Sequence, residues 1–134
     1  MTLFRTGSSW KGFYLAPSPY GREEFTIVVD EVTPDFNFVA TGHDNTGTFS
    51  AKGSLTNIKA PVTDSEHENI DNKGSPTCDI NFTKDYLDEK GYKGIKYNGK
   101  LCDNKITGEY SFVWRASFLS KTVTGIFEMN IDES

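Results

Sequence analysis

The sequence predicts an all-β protein, an up-and-down barrel of about eight antiparallel strands, and three observations lead to this prediction. Apolar and polar residues alternate along most of the chain, as they do in strands with one buried face. Short segments of turn-forming residues separate the alternating runs, which favours antiparallel neighbours. Glycine stands two residues before an aromatic residue in NTGTF, ITGEY and VTGIF, and such glycines provide the bends that barrel closure requires.

The alternation divides the chain into strands that are joined mostly by short turns. We predict strands at residues 10–15, 25–29, 36–40, 49–55, 78–82, 95–101, 106–114 and 123–131. No window has a convincing helical period, although residues 84–90 could form a single turn. Inward glycines are expected at four strand positions, where neighbouring rings can lie over the bare backbone: Gly53, Gly99, Gly108 and Gly125.

Two hairpins allow the register of the predicted strands to be tested. A two-residue turn at Asp103 and Asn104 gives four facing pairs: Leu101 with Ile106, Gly99 with Gly108, Tyr97 with Tyr110, and Ile95 with Phe112. Each apolar residue then meets another apolar residue, as a correct register requires. The same test around the loop 43–47 gives two further pairs: Ala40 with Phe49, and Phe38 with Ala51.

The length of 134 residues fits one domain, and we place the whole chain, 1–134, in a single barrel. One long polar segment, about 56–77, has little periodicity and contains two prolines. We interpret it as a surface crossover loop that divides the barrel into two four-stranded halves.

The TGx-aromatic units and the tryptophan near the amino end resemble the small meandering barrels of the calycin group, which includes lipocalins, fatty-acid-binding proteins and avidins. The resemblance covers the whole chain as architecture and implies a calycin-like barrel. Avidin-like proteins hold biotin with hydroxyl and amide side chains, whereas the inward positions predicted here are almost purely apolar, so biotin binding is not expected. The start Ser9-Trp10-Lys11-Gly12 is also similar to haem-binding nitrobindin barrels, but the carboxyl-terminal histidine that ligates iron there has no counterpart here.

Charge and hydropathy limit the partners. A net charge of −5 and a pI near 5.0 disfavour nucleic acids and anionic membranes, which carry the same sign of charge. No segment approaches the roughly 20 apolar residues that cross a bilayer. The first residues, MTLFRTGSSW, lack the apolar core of a signal peptide, so we expect a cytoplasmic protein.

No arrangement of residues indicates catalysis, a metal or a cofactor. Cys78 is predicted to face inward and Cys102 outward, which disfavours a disulfide between them. His43 lies in a loop at the predicted rim, next to Asp44, which could orient its imidazole. His67 lies in an acidic run, residues 64–71, that lacks the order of a calcium-binding loop.

The interior rings are the strongest candidates for a site. A non-catalytic barrel could bind a small apolar or aromatic molecule at one mouth through six residues: Trp10, Phe38, Tyr97, Tyr110, Trp114 and Phe127. The alternative is a filled barrel that acts as a protein interaction module through His43, the acidic crossover and Phe118. A third hypothesis, an enzyme that uses His43 and a tyrosine as acid and base, has no supporting constellation.

Overall fold

A closed antiparallel barrel is the observed architecture, and it confirms the predicted fold class. The computed structural model describes residues 4–16, 21–59, 77–88, 94–102, 104–116 and 118–132. Its strands are β1 (Ser9–Ala16), β2 (Gly21–Val32), β3 (Asn37–Asp44), β4 (Thr48–Lys59), β5 (Thr77–Tyr86), β6 (Ile95–Cys102), β7 (Lys105–Ala116) and β8 (Leu119–Ile131). Each strand pairs with the next, and β8 pairs with β1, so that no sheet edge is left open.

The barrel has two ends, and we name each after a residue that lies there. The Phe4 end carries the amino-terminal segment, the β2–β3 turn and the β6–β7 turn. The Asp44 end carries the last residues of β1, β3, β5 and β7. The amino-terminal segment is held at its end of the barrel by backbone hydrogen bonds such as that from Gly7 N to Val29 O, 2.7 Å.

The register of the β6–β7 hairpin is the predicted one. Three facing pairs are confirmed: Leu101 with Ile106, Gly99 with Gly108, and Tyr97 with Tyr110. The facing residues Cys102 and Lys105 leave two residues for the connection, the shortest hairpin that strand twist favours.

The predicted register of the β3–β4 hairpin is wrong. Ala40 faces Ala51, and Phe38 faces Gly53, because β3 continues to Asp44 before the chain turns. One carboxylate oxygen of Asp44 accepts hydrogen bonds from Thr46 N (2.8 Å) and Gly47 N (3.3 Å). This side-chain cap closes the turn later along the chain than the pattern of apolar residues suggests.

Strands β4 and β5 extend beyond their predicted limits. Strand β4 reaches Lys59, and the register shifts between Thr56 and Lys59, where Asn57 has a φ of 52°. Such a bulge breaks the alternation, which explains why a strand was not predicted there. Strand β5 runs through Lys84 to Tyr86, so these residues do not begin a helical turn. Residues 60–76 of the predicted crossover lie outside the described residues.

Glycines and rings face each other across β7 and β8. Gly108 faces Phe127, and Gly125 faces Tyr110, so the glycine of each TGx-aromatic unit lies opposite the aromatic residue of the other. A Cβ on Gly125 would lie 2.5 Å from Tyr110 Oη and 2.6 Å from its Cζ, because the ring lies over the bare backbone. The third unit differs, since Gly47 lies in the β3–β4 turn with a φ of 147°.

The core is a series of rings that contact one another from one end of the barrel to the other. Centroid distances along this aromatic series are Trp10–Phe4 5.6 Å, Phe4–Phe38 4.8 Å, Phe38–Phe82 6.1 Å, Phe82–Tyr97 4.7 Å, Tyr97–Tyr110 5.7 Å and Tyr110–Tyr14 5.6 Å. These separations are typical of favourable ring pairs. Side chains therefore occupy the described part of the interior.

Replacing Gly125 with alanine should destabilise the protein because the new methyl group meets both the Tyr110 ring and Leu15 O. We expect a loss of about 1–3 kcal/mol in the free energy of unfolding, the usual cost of overpacking. Urea unfolding followed by circular dichroism measures it. The control is Thr124→Ala on the exposed face of the same strand, with an expected change within about 0.5 kcal/mol. Equal stability of Gly125→Ala and Thr124→Ala would contradict this packing.

Candidate functional site

A lysine points into the barrel from β5. Burial alternates along this strand, and the inward series Cys78, Ile80 and Phe82 continues through Lys84 to Tyr86. The position of Lys84 follows from the two-residue period of a strand that continues to the Asp44 end. A fully buried lysine is rare unless it is paired.

The partner of Lys84 is Asp44, at the end of β3. Lys84 Nζ lies 2.9 Å from Asp44 Oδ2, and the two side chains are only 3% and 0% exposed. Tyr86 Oη donates a hydrogen bond to the same Asp44 oxygen at 2.5 Å. Strand β4 lies between β3 and β5, so the inward curvature of the sheet, rather than direct pairing of the two strands, brings the two charges together.

Five rings surround the ammonium group of Lys84 and form what we call the aromatic cage. The distances from Nζ to the ring centroids are 4.3 Å for Phe49, 4.7 Å for Tyr86, 4.8 Å for Tyr14, 5.7 Å for Phe25 and 5.7 Å for Tyr97. Ring faces within about 6 Å attract a cation, and the attraction is stronger where water is excluded. Both the carboxylate and the cage therefore stabilise a positive charge at this point.

The electrostatics of the pair reflect its burial. Burial lowers the pKa of Lys84, and attraction to Asp44 offsets only part of this effect. Burial alone would raise the pKa of Asp44, but the hydrogen bond from Tyr86 and the charge of Lys84 outweigh it and hold that pKa below its ordinary value. Shifts of this origin are common at functional sites.

The tyrosines around the pair remain protonated over a wide range of pH. Burial raises the pKa of Tyr14 to about 12. Burial also raises the pKa of Tyr86, Tyr97 and Tyr110, and the hydrogen bond to Asp44 raises that of Tyr86 further. Tyr110 Oη donates a hydrogen bond to Leu15 O at 2.5 Å.

The Asp44 end places this pair close beneath the surface. Asp44 is the last residue of β3, and the next residues, Asn45 and Thr46, are exposed. Tyr14 is only half buried. Four exposed apolar side chains lie at or next to the strand ends on the same side of the barrel: Leu15, Leu87, Phe118 and Leu119. The buried charged pair and these exposed apolar side chains therefore lie at the same end of the barrel.

The six predicted ligand-binding residues do not lie at a single mouth. Trp10 and Phe38 are buried at the Phe4 end, and Trp10 Nε1 donates a hydrogen bond to Ser8 Oγ at 3.1 Å. Tyr97 contacts both Tyr110 and Phe127, with centroid distances of 5.7 Å and 4.9 Å.

Of the remaining sequence-predicted residues, His43 is described in full, Trp114 only in its backbone, and His67 not at all. Trp114 faces Lys121 in the β7–β8 pairing, and its side chain lies outside the described part. His43 is exposed, with both ring nitrogens 3.3 Å from Thr26 Oγ1, and the Asp44 carboxylate turns the other way into the barrel. His67 lies outside the described residues.

The described residues offer neither a metal cluster nor a disulfide. Cys78 is buried and Cys102 is exposed, and both are free thiols, as the inward and outward predictions required. Within the described ranges, no three His, Cys, Asp or Glu side chains come together as possible metal ligands. The same ranges contain no helix long and apolar enough to cross a membrane.

Sequence reasoning missed Lys84 and Asp44, although one signal for Lys84 was present. The alternation of β5 continues past Phe82, and extending it by one period places Lys84 inward. Asp44 had no such signal, because its position among turn residues is typical of an exposed aspartate.

Comparisons with protein-family models, with curated proteins and with solved structures find no match to this chain. The closed eight-stranded barrel is consistent with a calycin-like meander, and no family is identified.

Replacing Lys84 with methionine should leave the Asp44 carboxylate buried without its counter-charge. We expect a loss of about 3–5 kcal/mol in the free energy of unfolding, as for other broken buried pairs. Adding Asp44→Asn should restore part of this loss, because the second change removes the buried charge while an amide oxygen can still cap the turn. Urea unfolding of the two variants measures the difference.

The matched control is Lys100→Met, which breaks the exposed pair of Lys100 with Asp79 (2.7 Å) and should change stability little. The free energy lost by the double variant could instead equal the sum of the losses of Lys84→Met and Asp44→Asn measured separately. That result would contradict the view that Lys84→Met leaves an isolated buried charge at Asp44.

Alkaline pH should destabilise the protein through its buried tyrosines. Their pKa values are raised in the folded state, so above about pH 10 only the unfolded state loses these protons. The free energy of unfolding should then fall by about 1.4 kcal/mol per pH unit for each such tyrosine. The lowered pKa of Lys84 acts in the opposite direction only up to its unfolded value, about 10.4.

Urea unfolding between about pH 9 and 11 measures this slope. Tyr110→Phe serves as the comparison, since the loss of one shifted phenol should make the slope shallower. A stability that does not vary with pH in this range would show that the four phenols ionise freely in the folded barrel.

Proposed function

We propose that this barrel is a non-catalytic binding protein that takes a small, mostly apolar or aromatic molecule at its Asp44 end. The observation that carries the proposal is the buried pair of Asp44 and Lys84 within the aromatic cage. A filled scaffold has no need of such a pair, since apolar residues of similar volume are often as stable or more so. A buried pair this close to the surface therefore favours a binding role at this end of the barrel.

The ligand position follows from where the interior is filled. The aromatic series occupies the described interior from Trp10 to Tyr14, so the molecule would lie above the cage rather than deep in the barrel. The half-buried Tyr14 ring provides an apolar contact at this mouth. Lys84 and the tyrosine hydroxyls are the few polar groups that can orient a ligand.

A filled barrel that acts as a protein interaction module is the second candidate. Phe118 is 92% exposed at the Asp44 end, and Leu87 and Leu119 are also exposed there. Several exposed apolar groups at one end of a protein favour a contact surface there. Phe118→Ser should impair partner capture under this alternative and leave small-molecule binding unchanged. The cytoplasmic location, and the expectation of neither nucleic-acid nor membrane binding, stay predictions.

Titration with cinnamyl alcohol, a small neutral aromatic probe, tests the binding hypothesis by calorimetry. We expect saturable binding that Tyr14→Ala weakens about two- to tenfold, because a ring contact contributes about 0.5–1.5 kcal/mol. The control is Phe36→Ala, which removes an exposed ring from the β2–β3 turn at the other end and should leave the affinity unchanged. Absence of saturable binding, or equal weakening by both changes, would oppose a site at the Asp44 end.

A further inference from the structure

We propose that Lys84 Nζ captures the carbonyl carbon of a small aromatic or unsaturated aldehyde at the Asp44 end and holds it as an iminium. This inference rests on the proposed binding function and names its ligand class. Under this inference the ligand is held by a reversible covalent bond to Lys84 and not by non-covalent contacts alone.

The first reason is the setting of the amine. Nζ lies inside the aromatic cage and 2.9 Å from Asp44 Oδ2, whereas other lysines such as Lys52 and Lys100 are exposed. Lysine in a desolvated, apolar pocket is the usual choice for Schiff-base formation, because the removal of water favours the free amine. The lowered pKa of Lys84 agrees with this setting.

The second reason is that the site can support the charge of the product. The ammonium form of Lys84 and an aldehyde give the protonated imine and one water molecule. A carbon–nitrogen bond forms, the carbon–oxygen bond breaks, and the oxygen leaves with two of the three ammonium protons. The charge at Nζ is +1 before and after, so Asp44 and the cage stabilise the iminium as they stabilise the ammonium. No oxidant or reductant is needed.

The third reason is a path for the proton. Asp44 Oδ2 is close enough to accept a proton from Nζ before attack and to return it to the oxygen of the carbinolamine, which then leaves as water. Tyr86 Oη donates to the same oxygen and keeps the carboxylate in place. The hydrogen bonds from Thr46 N and Gly47 N fix its other oxygen.

The surroundings select the class of aldehyde. The cage is apolar apart from its hydroxyl groups, and its Tyr14 ring, 4.8 Å from Nζ, is only half buried. A flat unsaturated group can stack on these rings, whereas a sugar-like aldehyde would lose hydrogen bonds with water. The filled interior limits the molecule to a small size.

The experiment is reductive trapping of the full chain with cinnamaldehyde and sodium cyanoborohydride at neutral pH, followed by peptide mapping. We expect Lys84 to carry the dominant adduct, because Asp44 and the aromatic cage stabilise the iminium there and the exposed lysines have no such surroundings. Equal labelling of all lysines, or labelling that spares Lys84, would overturn the proposal.

Two comparisons sharpen this test. Lys84→Arg keeps a positive charge beside Asp44 but lacks the nucleophilic amine, and it should lose the dominant adduct, whereas Lys100→Arg should keep it. The peptide map of the unaltered protein decides the question even where Lys84→Arg fails to fold.

Cinnamyl alcohol separates this inference from the proposed function, because it has the same shape and no carbonyl group. If the alcohol binds and Lys84 is not labelled, the capture step is wrong and the binding function stands. If Lys84 is labelled and the alcohol does not bind, capture is supported and non-covalent carriage is wrong. If neither occurs, both proposals are wrong.

Discussion

Every second side chain of a closed barrel faces a space without water, and this constraint governs the rest of the structure. The interior must be filled, and each polar group within it needs a partner. Rings meet the first requirement, and the facing pairs Gly108–Phe127 and Gly125–Tyr110 give them room to lie against bare backbone. The second requirement is also met: among the described residues, no buried side-chain nitrogen or oxygen lacks a hydrogen-bond partner.

The buried pair of Asp44 and Lys84 also needs partners inside the barrel, and its burial costs more free energy than that of a neutral polar group. Removing two charges from water costs several kcal/mol for each, so the pair persists only because its geometry and hydrogen bonds are favourable. One oxygen of Asp44 caps the β3–β4 turn, and the other meets Lys84 and Tyr86. The turn that fixes the register of a hairpin is thus tied to the charge that defines the site. The position of the carboxylate is set by backbone amides and does not depend on a ligand.

Much of the fold could be predicted from the sequence, because strand alternation is a local property. The β6–β7 register was predictable since a two-residue turn leaves few choices. The β3–β4 register was not, because it depends on whether the Asp44 side chain caps the turn. The candidate site was missed for a different reason. The contact of Lys84 with Asp44 depends on how the sheet curves across β4, and no pattern within one strand contains that information.

The asymmetry of the two ends bears on which one can exchange a ligand. At the Phe4 end, Phe4 is 1% exposed and packs against Trp10 and Phe38, so a molecule entering there would have to displace tightly packed rings. At the Asp44 end, the half-buried Tyr14 ring is one of five around a cation that already has Asp44 as its acceptor. A ligand that extends this cation, or stacks on its cage, leaves the buried charges paired. Under the proposed binding function, exchange at the Asp44 end would therefore keep the buried charges paired, whereas exchange at the Phe4 end would disturb packed rings.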